Sequence, residues 1–193
     1  MESHIDRTVR YYQGFPDYHL YVRYEHADLV IGYSSGGKRR VRKLIAEAPD
    51  DDREFRYAPL WYEFLGYDFW VSKHGSITEV DMPWLGSALD TLYEGLQSNQ
   101  SLMDTQTSFT GFSPTEADML LHNTFSLLTA FHDTYGLVHS DIYFSNVLYH
   151  PELSYFPIID AEGFETGNTR KWEAFRRRFT ELTNFIYSHL VYS

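Results

Sequence analysis

The pattern of apolar and polar positions divides the chain into a β-patterned first part and a helix-patterned second part. Residues 18–24 (YHLYVRY), 28–34 (DLVIGYS) and 39–45 (RRVRKLI) are short, rich in aromatic and β-branched side chains, and separated by turn-like pieces. Ser35-Gly36-Gly37-Lys38 reads as the hairpin turn between the last two, so an antiparallel meander is expected. Ala48 to Asp52 (APDDD) reads as a helix start, because acidic side chains favour the positive end of the helix dipole. That helix should run to about Leu65 and stop at Gly66, with a kink at Pro59. Two further strands are expected at 67–72 and 76–82. Pro83-Trp84-Leu85-Gly86 then breaks the pattern and reads as a linker between lobes.

The remainder is mainly helical. Ser113-Pro114-Thr115-Glu116 combines an N-cap, a proline at the first helical position and a glutamate three residues after the cap. Leu121, Phe125, Leu128 and His132 then recur on one helical face until Tyr135-Gly136. Short strands are expected at 146–149 and 156–159, and a final helix from Asn168 onward. Residues 1–17 carry no readable signal.

At 193 residues this suits one domain with two lobes. Tyr and Phe, 16 and 14 of them, point to a core packed with rings. The net charge of −11 repels phosphate backbones and anionic lipid, which argues against nucleic acid or membrane as the main partner. Basic residues cluster at Lys38, Arg39, Arg40, Arg42 and Lys43, and again at Arg170, Lys171 and Arg176 to Arg178; the second group reads as a solvated face. Without cysteine there is no disulfide, thiolate metal site or thiol nucleophile. No apolar run is long enough for a transmembrane helix, and MESHIDRTVR lacks the apolar core of a Sec-type signal peptide.

The chemistry concentrates between Leu137 and Glu165. His139, Asp141, Asn146 and Asp160 stand beside apolar strand-like runs. Phosphoryl transfer needs a carboxylate to orient the attacking hydroxyl and accept its proton, oxygen ligands for Mg²⁺, and a cation for the negative charge. An Asp, an Asn five residues on, and a second Asp fourteen after that could meet the first two needs.

This stretch resembles the protein-kinase superfamily, whose catalytic loop reads H-R-D-L-x-x-x-N. Here it reads His139-Ser140-Asp141-Ile142-Tyr143-Phe144-Ser145-Asn146, followed by Val147-Leu148. Where the family has a strand ending in D-F-G, this chain has Ile158-Ile159-Asp160-Ala161-Glu162-Gly163. The resemblance implies that Asp141 is the catalytic base, that Asn146 and Asp160 hold Mg²⁺, and that His139 supports the loop. Upstream it implies Lys43 on the third strand as the residue that meets ATP phosphates, with Val41 lining the adenine pocket. Glu54 and Glu63 compete as the partner of Lys43. Glu54 is chosen, because Glu63 lies too near the helix end. The phosphate loop falls at 24–28 (YEHAD), since the Gly32–Gly37 turn leaves too little chain before Lys43 for a strand out and a strand back. It contains no glycine, unlike the family pattern.

The expectation is therefore an α+β, protein-kinase-like two-lobe fold. It has a small antiparallel β-rich N-lobe (about 1–82), a hinge (about 83–86) and a reduced helical C-lobe (about 87–193). Ser140 replaces the loop arginine, Tyr143 the common lysine, and Ala161-Glu162 the Phe-Gly pair. No A-P-E follows, so no activation segment is expected. These traits resemble the smallest superfamily members: secreted bacterial effector kinases, the minimal kinase of the KEOPS complex and short fungal kinase-like proteins. The implied function is an ATP- and Mg²⁺-dependent Ser/Thr protein kinase. It would work in the cytoplasm or be delivered into a host cell, on a protein substrate and with room for an activating protein partner. A small-molecule kinase of the aminoglycoside or choline type and a pseudokinase-like binding module are the alternatives.

Overall fold

The computed structural model describes residues 3–15, 17–23, 28–46, 52–98 and 109–192. Residues 24–27 of the expected phosphate loop and 48–51 of the expected helix start lie outside the described residues. The chain divides into two compact units, residues 1–84 and 85–193.

Unit 1 comprises α1 (His4–Tyr12), β1 (His19–Arg23), β2 (Asp28–Ser35), β3 (Lys38–Ala46), α2 (Arg53–Phe64), β4 (Trp70–His74) and β5 (Ile77–Pro83). The strands form one antiparallel sheet in the order β1-β2-β3-β5-β4. The β2–β3 turn works because Gly36 and Gly37 take φ of 57° and 75°, the left-handed values that a tight hairpin demands. The strand expected at 67–72 instead runs from Trp70 to His74, because the turn at Gly75 pairs His74 with Ile77 and fixes the register.

Alternation along β3 gives the sheet two chemically different faces. Arg40, Arg42 and Leu44 share one face, paired with Tyr33, Ile31 and Leu29 of β2. There Tyr12 of α1 packs with Ile31, Tyr33 and Leu44 in a buried cluster. Val41, Lys43 and Ile45 point the other way. Helix α1 had no counterpart in the apolar pattern. It is started by a capping box, in which Asp6 N–H donates to Ser3 Oγ at 3.1 Å and Ser3 N–H to Asp6 Oδ2 at 3.2 Å.

Unit 2 comprises β6 (Ser87–Ala88), α3 (Leu89–Ser98), α4 (Pro114–Tyr135), β7 (Leu137–His139), β8 (Leu148–Tyr149), a 3-10 turn (Ala161–Gly163), β9 (Phe164–Thr166) and α5 (Thr169–His189). Helix α4 has the expected ends: Glu116 N–H donates to Ser113 Oγ at 3.2 Å, and Gly136 closes it with φ of 68°. Its buried stripe is turned from the expected face, running through Ala117, Leu120, Leu121, Thr124, Leu128 and Phe131, while Phe125 and His132 are only half-buried. The expected strands at 146–149 and 156–159 shrink to β8 and a single Val147–Ile158 bridge. Leu148 N–H donates to Pro157 O at 2.8 Å, but proline has no N–H to continue the ladder. Rings do fill the core: Phe112, Phe131, Phe156, Phe164 and Phe175 are fully buried. Among the described residues no helix is long and apolar enough to cross a membrane.

Candidate active site

In unit 1 the sheet and α2 bury two opposite charges. Lys43 is 4% exposed, on the face of β3 away from Arg40 and Arg42. Of the five clustered basic residues Lys38, Arg39, Arg40, Arg42 and Lys43, it alone is buried. Val41, two residues earlier on the same face, is half-buried. Glu54 lies in the first turn of α2 and is 0% exposed. It begins the helix's buried stripe of Glu54, Ala58, Trp61 and Tyr62, the 3.6-residue spacing of one face. Glu63 is exposed, so of the two candidate carboxylates only Glu54 belongs to the interior. Burial, and after it the Glu54 charge, push the Tyr62 hydroxyl well above its ordinary pKa. Burying an ammonium and a carboxylate is costly, and such groups are concentrated where function requires them.

In unit 2 a single imidazole ties the chemical residues together. His139 ends β7 and is fully buried. Its Nε2–H donates to Asp160 O at 3.0 Å, and its Nδ1 accepts the Asp141 N–H at 3.3 Å. Burial pushes its pKa down to about 4, so it is neutral at physiological pH and both hydrogen bonds keep their sense. The β7–β9 ladder pairs His139 with Phe164 and so joins the start of one loop to the end of the other. Ser140 adds two bonds to Gly163 O, from N–H at 2.9 Å and from Oγ at 3.1 Å.

Asn146 completes the bracket. Its Nδ2 donates to Asp141 Oδ2 at 3.1 Å and to Asp141 O at 3.3 Å, and its own carbonyl accepts the Ile159 N–H at 3.0 Å. Asp141 is half-buried, whereas Asn146 and Asp160 are buried. Asp160 is the only described non-glycine residue with positive φ, at 69° with ψ of 70°. An L side chain in that region costs on the order of 1–3 kcal/mol, and such strain gathers at functional sites. Unit 2 thus brings Asp141, Asn146 and Asp160 into one bracket, while Lys43, Val41 and Glu54 belong to unit 1.

The donor set suits Mg²⁺. With Asn146 Nδ2 committed to Asp141, its Oδ1 is left as an acceptor, and the Asp160 carboxylate adds a second hard oxygen donor. Two further residues shape the site. Gly163 is required by contact, since a Cβ there would lie 2.5 Å from His139 Cε1. Arg178 of α5 lies over the Tyr143 ring at 4.8 Å and donates to its hydroxyl at 2.9 Å, which brings a cation to the residue two beyond Asp141. A glycine three after Asp160 was visible in the sequence; the approach of Arg178 across 35 positions was not.

No family model matches the chain, and no curated protein sequence does. Among solved structures it is similar to the Cydia pomonella granulovirus kinase PK-1, with a TM-score of 0.56 at 13% sequence identity. The match covers 86% of this chain and 58% of that one, so the chain spans little more than half the length of the structure it matches. At that identity the likeness concerns the fold, and together with the antiparallel sheet unit and the mainly helical unit it shows that this chain has a small protein-kinase-like fold.

Proposed function

We propose that the chain is an ATP- and Mg²⁺-dependent phosphotransferase that phosphorylates Ser or Thr of a protein substrate. The observation that carries this reading is the bracket in unit 2, where His139 holds the Asp141 N–H and the Asp160 carbonyl while Asn146 holds the Asp141 carboxylate. In this reading Asp141 orients the attacking hydroxyl and takes its proton as the new O–P bond forms and ADP leaves. Mg²⁺, held by Asn146 Oδ1 and the Asp160 carboxylate, would neutralise charge on the phosphates. Lys43 meets those phosphates, Glu54 steadies its ammonium, and Val41 lines the base pocket. Between Asp160 and α5 the chain has only the 3-10 turn and β9, so no long segment is present there to be ordered by phosphorylation.

The test is to incubate the purified chain with γ-labelled ATP, Mg²⁺ and a cell lysate. Label on proteins, lost in Asp141→Asn, is the expected result. Label on small molecules only would replace the protein substrate with a metabolite, and no transfer at all would leave a nucleotide- or partner-binding module.

A further inference from the structure

Three metal-ligating side chains converge on the face of the unit 1 sheet that α1 covers. His4 opens α1, His74 ends β4 and Glu79 lies in β5. His4 Nε2 is 3.2 Å and His74 Nε2 3.5 Å from the same carboxylate oxygen, Glu79 Oε2. Among the described residues this is the one group of three His, Cys, Asp or Glu side chains whose ligand atoms all lie within 4.8 Å of one another. We propose that His4, His74 and Glu79 form a binding site for a divalent transition-metal ion of the zinc type. It is separate from the phosphotransferase residues and independent of that reading.

The distances fit this chemistry. Bonds of about 2.0–2.2 Å in a tetrahedron place neighbouring ligand atoms roughly 3.3–3.5 Å apart. Two of the three edges already have that length, and the third, at most 4.8 Å, closes by small ring rotations. Two imidazoles and one carboxylate favour Zn²⁺ or its first-row neighbours over Mg²⁺ or Ca²⁺.

The surroundings behave as outer partners. Glu79 Oε1 accepts from Thr8 Oγ1 at 3.4 Å and lies 3.7 Å from Arg42 Nη1, which keeps Oε2 turned to the imidazoles. Arg42 also donates to Asp81 at 2.9 Å and 3.0 Å, an acceptor it shares with Arg40. Ser72 Oγ, 3.1 Å from His74 Nε2, gives up that bond when the nitrogen takes a metal. An open depression of about 250 Å³ borders His4, Thr8 and Glu79, so water reaches the site. Glu79 is 3% exposed, and a buried carboxylate between two imidazoles calls for a positive charge. Because the ligands come from α1 and from the β4–β5 hairpin, the ion would fasten the helix to the sheet.

The experiment titrates Zn²⁺, and Co²⁺ as its coloured substitute, into the chain at pH 7.5. It follows heat, visible absorption and hydrogen exchange of residues 4–12. The proposal expects one equivalent bound, a tetrahedral Co²⁺ band, and slower exchange in α1. His74→Ala, at a largely exposed position, and Glu79→Gln should each weaken binding by at least about 100-fold, more than the loss of an outer partner does. His122→Ala on α4 is the control for scattered histidines and should change nothing. Wild-type binding no tighter than that of folded His74→Ala, or an α1 whose exchange ignores the metal, overturns the proposal. His74→Ala keeps the test intact if the buried Glu79 variant does not fold.

Discussion

His139 donates to the backbone carbonyl of Asp160, a residue twenty-one positions away, through its Nε2–H at 3.0 Å. The acceptor belongs to the strained residue with φ of 69°, and the other ring nitrogen takes the Asp141 N–H. One neutral ring therefore sets the spacing between the proposed base and the proposed metal ligand. It does so through backbone atoms, the Asp160 carbonyl and the Asp141 N–H.

Because burial lowers the His139 pKa to about 4 from its ordinary 6.5, folding holds this ring neutral where the unfolded chain would protonate it. The stabilisation is fully present above about pH 6.5 and is lost as pH falls toward 4, since the unfolded state binds the extra proton. A shift of this size corresponds to about 3 kcal/mol across that window. Urea unfolding at pH 7 and pH 4.5 should show a drop in the wild type that is smaller by roughly 2–3 kcal/mol in His139→Gln. Equal drops in the two proteins would show that the ring is not held neutral.

Gly163→Ala should be costly through His139. The added Cβ would come within 2.5 Å of Cε1 and 3.0 Å of both ring nitrogens, and the ring is pinned by two hydrogen bonds. Overpacking of this kind costs about 1–3 kcal/mol, seen as a fall of several degrees in melting temperature. In a His139→Ala background the same methyl should cost far less. Additive losses in the double variant would place the strain elsewhere.

What the sequence made legible was local. Ser113, Pro114 and Gly136 announce the ends of α4 because caps are decided within four residues. The position of Lys43 on β3 was readable because the Gly36-Gly37 turn fixes that strand, whereas its burial beside half-buried Arg42 was not. The face of α4 was misjudged by a fraction of a turn because half-buried Phe125 and His132 look apolar in sequence yet lie at the edge of the stripe, Phe125 against Trp172 and Phe175. Helix α1 went unseen since its only signal is the Ser3–Asp6 capping box, followed by a mostly polar helix. His4, His74 and Glu79 could not be grouped at all: their meeting depends on α1 crossing the sheet, which no local pattern encodes.

Asp81 offers a contrast between a buried and an exposed charge. It accepts from Arg40 Nε at 2.6 Å, from Arg42 Nε at 3.0 Å and from the Tyr33 hydroxyl, with a side chain 5% exposed. Asp68 meets the same Arg40 at 3.0 Å but is 86% exposed. Asp81→Asn leaves Arg40 only the exposed Asp68 and Arg42 only Glu79 at 3.7 Å, and should destabilise unit 1 by about 3–5 kcal/mol. Asp68→Asn should cost less than about 1 kcal/mol. Hydrogen exchange of β3 and β5 reads both, and similar losses in the two variants would mean that burial does not govern this cluster.

The final prediction separates the base from the nucleotide-binding groups. Asp141→Asn preserves size and the bond from Asn146 on one side, but removes the proton acceptor. Turnover should fall by about 10²- to 10⁴-fold, the usual contribution of a positioned base. MgATP affinity should change little, because Asp141 holds no metal in the proposed scheme. Asp160→Ala removes a proposed Mg²⁺ ligand and should abolish turnover while weakening the Mg²⁺-dependent part of ATP binding. Lys43→Met keeps much of the buried stem and removes the cation, so turnover should fall strongly with the fold retained. Turnover, MgATP affinity with and without EDTA, and circular dichroism on the three variants give the split. Full activity in a folded Asp141→Asn would end the phosphotransferase reading. A loss of MgATP affinity in Asp141→Asn equal to that in Asp160→Ala would instead reassign Asp141 from the hydroxyl to the metal.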